Sequence, residues 1–497
     1  MTRNIRMPRI FTAGFHRRES RGHEAADTNA SRQFMNKVLR IRGPRKRCLG
    51  TVFVLIVAGI LSGFPTYAQA RTTPEEGDSG VAEASRDSTD ENKDAAAARA
   101  EEGEPASPDG ADDDEADDTL SGSVDDSSGS IEVALEKKAY GWDFRGDMRA
   151  GYVSVDTDRR DGSDDSSSEW LGRFRIGGNY NIADKFVVGG RIASICSTND
   201  CNPALEFDST LPSTSTVDQG VITFDQLYVH SFRRERFDLA IGRLQTKFVA
   251  RAGVFAKSLD RNDSHNFNVN WTDGLHGTLH LKKDSVVHVI FQNNAADGTS
   301  SVRRGPIDFA DDDSRITYFL AWESLQRQGP FHQLGFDITL MPRSLLKDGS
   351  RSGRIEDYLG FVARFATSWL EETSGPRLNV AGEVGYAPET PTRAAMGLPG
   401  NGDTDGLAWN LAASVLDIRP NHNIGINYGR TDAGWLLSPQ YRENEELIEI
   451  RYLWRRSRRQ ALDIRARWRN ELQQLDGTTR KQEELDFYVR LTLGFNL

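Results

Sequence analysis

Charged side chains recur at every second position in several stretches of this chain, and that spacing limits the chemistry they can do. Arg145 and Arg149 alternate with Phe144 and Met148, Arg173 and Arg175 flank Phe174, and Arg465, Arg467 and Arg469 interleave with Ile464, Ala466 and Trp468. On an extended strand successive side chains point to opposite faces, so each set forms a charged row on one face. Arg191, Arg364, Arg451 and Arg490 fall in the same register. So do the acids Asp143, Asp147, Asp225, Asp238, Glu383, Glu449, Asp463 and Asp486. Facing rows of guanidinium and carboxylate set up a transverse field that orients ions and polar solutes. Eleven arginines against eight acids predict a mild preference for anions.

A second group sits in one long connection, residues 245–270. It holds Lys247, Arg251, Lys257, Asp260, Arg261 and Asp263, interspersed with Phe248, Val254, Phe255 and Leu259. A purely external loop has little need of those apolar residues. A loop folded against a wall would bury them.

Signals for catalysis are weak. Asp263-Ser264-His265 contains the residue types of a hydrolytic triad, but triads are defined by geometry and not by adjacency. No phosphate-binding loop, nucleophile elbow or H-E-x-x-H stretch occurs. His276, His280 and His288 share one face of a predicted hairpin and are expected as polar lining rather than as a metal or phosphate site. Cys196 and Cys201 enclose a short polar turn. In an exported protein they predict a disulfide, and no second Cys/His pair at zinc spacing accompanies them. No cofactor, metal or nucleic-acid partner is expected.

The elements that position these residues are strands. In the last stretch Leu485, Phe487, Val489, Leu491, Leu493, Phe495 and Leu497 alternate with Asp486, Tyr488, Arg490, Thr492, Gly494 and Asn496. A period of two marks a strand with one apolar and one polar face. Sixteen such segments start near residues 140, 170, 186, 221, 237, 273, 286, 315, 331, 358, 377, 406, 422, 444, 461 and 484. Seven short connections alternate with eight long ones, at 156–168, 195–217, 244–272, 293–313, 341–355, 387–405, 430–443 and 470–482. This predicts an all-β, transmembrane antiparallel β-barrel of about sixteen strands, with short periplasmic turns and long extracellular loops. Aromatic residues gather at predicted strand ends: Trp142, Phe232, Trp454 and Phe495 at one rim, Trp170, Tyr386, Tyr428 and Trp468 at the other. Such girdles distinguish a lipid-facing barrel from a soluble sandwich. In hydrocarbon every backbone group must be paired, so the last strand is expected to close on the first.

The N-terminal part is different material. Arg40, Arg42, Arg45, Lys46 and Arg47 precede the apolar run 49–64, followed by Ala68-Gln69-Ala70. That order predicts a secretory signal peptide over residues 1–70, with cleavage before Arg71. The leader is long, and Met35 offers an alternative start. Residues 71–130 carry 20 acids against 4 basic residues and almost no large apolar side chain, so 71–139 is expected to be a disordered periplasmic segment. Without these two parts the remainder carries a net charge of about −5, so overall acidity says little about partners.

Residues 140–497 resemble the Gram-negative outer-membrane porin superfamily, in its phosphate-selective and general branches. The resemblance rests on the strand layout, on Phe224-Asp225-Gln226-Leu227-Tyr228-Val229 followed by Ile241-Gly242-Arg243, and on the alternating C-terminal strand. One departure is the final residue: these families usually end in Phe, and here the aromatic is Phe495. The resemblance implies a homotrimer in outer-membrane lipid, a third long loop folded into the pore, and passive diffusion of small hydrophilic solutes or ions. An outer-membrane hydrolase and a barrel plugged for a structural or adhesive role are the alternatives.

Overall fold

The computed structural model describes residues 140–496, apart from 184, 200, 202–203, 206–216, 218, 234–235, 265, 282–284, 295–304, 310–314, 326–329 and 370–374. The leader, the acidic segment and Leu497 lie outside the described residues.

Seventeen strands are described, in one sheet. They are β1 (Tyr140–Asp158), β2 (Asp164–Ile182), β3 (Phe186–Ser197), β4 (Ala204–Leu205), β5 (Val221–Arg233), β6 (Phe237–Leu244), β7 (Thr272–His280), β8 (Ser285–Asn294), β9 (Arg315–Ser324), β10 (Phe331–Leu346), β11 (Ile355–Trp369), β12 (Arg377–Tyr386), β13 (Leu407–Arg419), β14 (His422–Thr431), β15 (Glu445–Ser457), β16 (Gln460–Glu471) and β17 (Glu483–Asn496). Sixteen are long and each pairs antiparallel with its chain neighbours. β4 is a two-residue strand lying parallel to the start of β5. β17 pairs with β1 from Arg145↔Asn496 to Asp158↔Glu483, and β1 also pairs with β2, so the sheet closes on itself. The described residues contain no helix. The sixteen-stranded closed barrel expected from the sequence is the observed architecture.

Three details differ from the sequence expectation, the first being that β10 runs to Leu346, into the expected loop 341–355. Residues 156–168 were expected as a long loop, but β1 and β2 continue through most of them and turn only at 159–163. Asp156↔Ser166 and Asp158↔Asp164 extend the ladder beyond the apolar part of the wall, where solvated polar side chains leave no hydrophobic alternation to read. In β5 the alternation changes phase. Ile192 faces Phe224 and Arg191 faces Gln226, so Asp225 is an extra residue at a bulge. Thr223 and Asp225 are buried before it, Tyr228 and His230 after it.

Why a closed sheet is stable here follows from its two faces. Outward-facing side chains are large, apolar and uncovered around the whole circumference: Trp142, Met148, Phe174, Val188, Leu227, Ile241, Phe291, Leu320, Phe336, Val384, Leu411, Ile426 and Leu491 are all exposed. A band of this size needs lipid around it. Trp142 packs on Phe144 and Tyr180 at the short-turn rim, with ring centroids 5.2 and 4.9 Å apart. Tyr152 packs on Trp170 at 5.4 Å, and Trp409 on Tyr428 at 5.1 Å, at the opposite rim. Phe232 lies outside the residues whose side chains are described. The molecule is therefore a membrane-spanning barrel of the outer-membrane type.

Candidate functional site: a basic cavity inside the barrel

The interior is filled mainly by two loops. The β6–β7 loop, 245–271, enters the lumen and lies against the inward faces of β8 to β14. Phe248 sits among Ile290, Phe319 and Ala321. Val254 and Phe255 pack on Ala366, Ala381, Ala412 and Leu416. Small inward residues make room for it: a Cβ on Gly425 would meet Phe255 and Val254 at 2.7 Å. The second loop is β14–β15, 432–444. Its Trp435, Leu436, Leu437 and Tyr441 join Leu259 in the largest buried cluster. A Cβ on Gly385 would meet the Trp435 ring at 2.6 Å, and one on Gly429 would meet Tyr441 at 2.2 Å. The two loops are bonded to each other. Trp435 Nε1 donates to the Leu259 carbonyl at 2.9 Å, Ser438 Oγ to the Ser258 carbonyl at 3.1 Å, and Gln440 Nε2 to the Ala256 carbonyl at 3.3 Å. Tyr358 Oη donates to the Gly434 carbonyl and accepts from the Leu436 amide, both at 2.8 Å.

Charged residues fasten the first loop to opposite walls. Arg149 donates to the Asn266 carbonyl. Arg173 donates to the Ser264 and Asn268 carbonyls, at 3.1 and 3.2 Å. Asp147 holds Arg175 at 2.6 Å and Arg173 at 3.2 Å, and Asp225 pairs with Arg191 at 2.7 Å. Across the barrel Arg364 is shared among four carboxylates: Asp337, Glu383 at 3.3 Å, and Glu323 and the loop's Asp260 at 3.4 Å. Glu383 also accepts from the Leu259 amide at 2.9 Å.

These contacts sort the charged loop residues. Asp260, Arg261 and Asp263 are buried: Asp263 accepts from Thr246 and Thr272, and Arg261 donates to the same two hydroxyls. Lys247 is half-buried beside Asn262, and Arg251 is exposed. Ser264 Oγ donates to the Asn270 carbonyl, so Asp263 and Ser264 hold the loop in shape; His265 lies outside the described residues. Of the six, Lys257 borders an open part of the lumen while itself mostly buried.

That open part is a cavity of about 280 Å³ between the two loops and β15, β16 and β17. Its lining carries seven cationic side chains, Lys257, Arg442, Arg451, Arg465, Arg467, Arg469 and Arg490, with Tyr488, Asn266 and Asn268 and one carboxylate, Glu449. The acids that balance Arg451, Arg490 and Arg467 lie behind them. Asp463 accepts from Arg451 at 2.5 Å and Arg490 at 2.8 Å, and Asp486 from Arg467 at 2.6 Å. Asp463, Asp486 and Glu449 are essentially inaccessible. Glu449 pairs with Lys257 at 2.7 Å; burial pushes the Lys257 ammonium down to about 7, against the pull of Glu449. Arg469 is held by Glu445 at 3.2 Å and by the Gln440 carbonyl at 3.1 Å. Arg465 differs. Its guanidinium lies 3.9 Å over the Tyr488 ring, and its nearest carboxylate, Asp486, is 3.8 Å away. Directly opposite it in the sheet stands Arg451. Like charges face to face repel unless something anionic lies near them.

The remaining sequence candidates are placed as follows. Arg145 is half-buried on the β1 wall outside the cavity lining, and Arg175 is buried against Asp147. His276 Nε2 and His288 Nδ1 are 3.1 Å apart beneath Phe248, and His280 meets Asp238 at 2.6 Å. Cys196 and Cys201 are joined in a disulfide with Cα atoms 4.7 Å apart. Sequence reasoning missed the β14–β15 loop as a partner of the β6–β7 loop. Trp435-Leu436-Leu437 inside a long connection was the signal that could have found it, because a solvated loop has no use for that run. It also missed Glu323, Asp337 and Arg442.

No protein-family model matches the chain, and no curated protein sequence does. Solved structures of low similarity include OprB of Pseudomonas putida, at 11% identity and a TM-score of 0.46, covering 71% of this chain and 94% of that one. An anion-selective porin from Comamonas acidovorans matches at 10% and 0.43, covering 72% and 100%. The outer-membrane channel DcaP of Acinetobacter baumannii matches at 13% and 0.43, covering 72% and 98%. At this level the likenesses carry no weight for function; the architecture rests on the strand pairing itself.

Proposed function

We propose that the protein is an outer-membrane porin, a water-filled channel for passive diffusion of small hydrophilic solutes with a preference for anions. The observation that carries this reading is the cavity lining: seven cations and one carboxylate, Glu449, border about 280 Å³ of lumen, and Asp463 and Asp486 sit buried behind the arginines they pair with. Such a wall lowers the energy of an anion in transit and raises that of a cation. The homotrimer, the signal peptide over 1–70 and the acidic periplasmic segment 71–139 belong to the same proposal. The signal peptide and the acidic segment rest on the sequence patterns described above, and the homotrimer on the family resemblance.

The test is single-channel conductance of the purified protein in planar bilayers, with reversal potentials in a salt gradient. Stepwise insertions with an anion-selective reversal potential are expected. Cation selectivity would overturn the anion preference. Folded protein that never conducts would favour a plugged barrel, which the two lumen-filling loops make a specific second reading.

A further inference from the structure

The short-turn rim carries a basic patch that, among the described residues, no carboxylate compensates. Arg458 and Arg459 form the two-residue turn between β15 and β16, Arg455 and Arg456 lie in the last three residues of β15, and Arg419 ends β13. Arg419, Arg456, Arg458 and Arg459 are exposed. Among the described residues no carboxylate pairs with these four. The nearest acid on these strands, Asp417, is taken by Arg377 at 3.0 Å. The backbone of the patch is pinned on both sides: Arg455 N donates to the Asn421 carbonyl at 3.0 Å, and Gly494 N to the Arg459 carbonyl at 2.7 Å.

The second observation lies next to it on the lipid-facing side. Trp454 and His422 stack with centroids 5.7 Å apart, and the Tyr452 hydroxyl meets His422 Nδ1 at 2.5 Å. Tryptophan and tyrosine on the outside of a barrel mark the depth of the lipid headgroups. Arginines one step further toward water therefore stand at the level of lipid phosphates, with side chains long enough to reach along the surface. Guanidinium binds phosphate oxygens through parallel N–H donors, and four exposed ones within two adjacent turns give multivalent contact.

We propose that Arg419, Arg456, Arg458 and Arg459, with the Trp454–His422–Tyr452 cluster, form a seat for anionic phospholipid headgroups in the leaflet on the short-turn side. The partner is a lipid phosphate with its chains against the aromatic cluster. The site requires only that the barrel lie in a bilayer and does not depend on what the channel passes. It sets the depth and tilt of β13 to β16, of which β15 and β16 line the basic cavity, so lipid composition becomes an influence on the channel wall.

The experiment uses the full chain in mild detergent, native mass spectrometry, and two added lipids with identical chains, phosphatidylglycerol and phosphatidylcholine. The wild type should retain phosphatidylglycerol in about tenfold or greater preference, and added salt should reduce it. The R456Q/R458Q/R459Q variant should lose the preference while keeping the heat-modifiable mobility of a folded barrel. If that variant does not fold, R458Q alone and the salt titration of the wild type carry the test. Equal retention of both lipids by the wild type would overturn the proposal, as would an unchanged preference in the folded variant. Displacement of the bound lipid by soluble polyglutamate, with no dependence on lipid charge, would overturn it in favour of an acidic protein partner.

Discussion

At the scale of single residues, partner geometry separates arginines that hold the molecule together from those that face the solute. Arg149 and Arg173 grip a loop by its carbonyls, and Arg364 ties four carboxylates together. Arg465 makes only one long contact of this kind, to Asp486 at 3.8 Å. It is braced on Tyr488 and turned into the cavity. Arg465→Gln should therefore keep the fold and lower the anion-to-cation permeability ratio by roughly two- to fivefold, the scale of a partly solvated charge worth about 0.5–1 kcal/mol. Arg175→Gln serves as the contrast. Arg175 is sealed against Asp147, so its loss should reduce thermal stability and leave the reversal potential near wild type. Equal reversal potentials in wild type and Arg465→Gln would remove Arg465 from the selectivity wall. Lys257 adds a pH dependence. Burial favours its neutral form, so it is charged below about pH 7 and loses its charge above. Anion preference should therefore weaken as pH rises from 6 to 8, and a Lys257→Gln variant should lose that part of the pH response. Alternation in the sequence placed these side chains on the inward face. It could not tell which of them were engaged, because Arg149 and Arg173 find their partners about a hundred residues away.

At the scale of elements, strands were legible and loops were not. A strand repeats one rule every two residues, so starts at 186, 221, 237, 315, 331, 377 and 422 could be read directly and match the observed bounds. The inward loops follow no period. Their positions are set by glycines and alanines on the facing wall, which read in sequence as ordinary strand residues. Gly385 shows the dependence. Its missing side chain is the space occupied by Trp435, and Trp435 in turn fixes the backbone of Leu259. Gly385→Val should displace Trp435 and loosen both loops, giving larger and noisier single-channel currents while the barrel stays heat-modifiable. Trp435→Ala should produce the same phenotype by the opposite change, at a local cost of about 3–5 kcal/mol. Quiet wild-type currents from both variants would mean that the two loops do not support each other. The disulfide belongs to this scale as well. It closes only a short turn, so replacing Cys196 and Cys201 with serine should leave conductance and heat-modifiability unchanged.

At the scale of the whole molecule the charges are segregated. The walls from β1 to β3 and from β15 to β17 are rich in arginine, while β9 to β12 carry Glu323, Asp337 and Glu383 clustered around Arg364. Left open, such a lumen would offer solutes both signs and little net preference. The β6–β7 loop changes this by lying across the acidic wall, where Asp260, Leu259 and Phe255 cover it; Ser264, Asn266 and Asn268 cover Arg149 and Arg173, and the β15–β17 wall remains open to the cavity. On the proposed reading the loop both narrows the channel and decides which sign of charge a solute meets. Replacing residues 249–262 with a short Gly/Ser linker should raise conductance severalfold and uncover three carboxylates against one guanidinium. Selectivity should then fall toward neutral or reverse to cations. The barrel should remain assembled, because its backbone pairing runs entirely through the strands. If the shortened channel conducts more but keeps the anion preference of the wild type, the arginine walls alone set selectivity and the loop only sets the width of the passage.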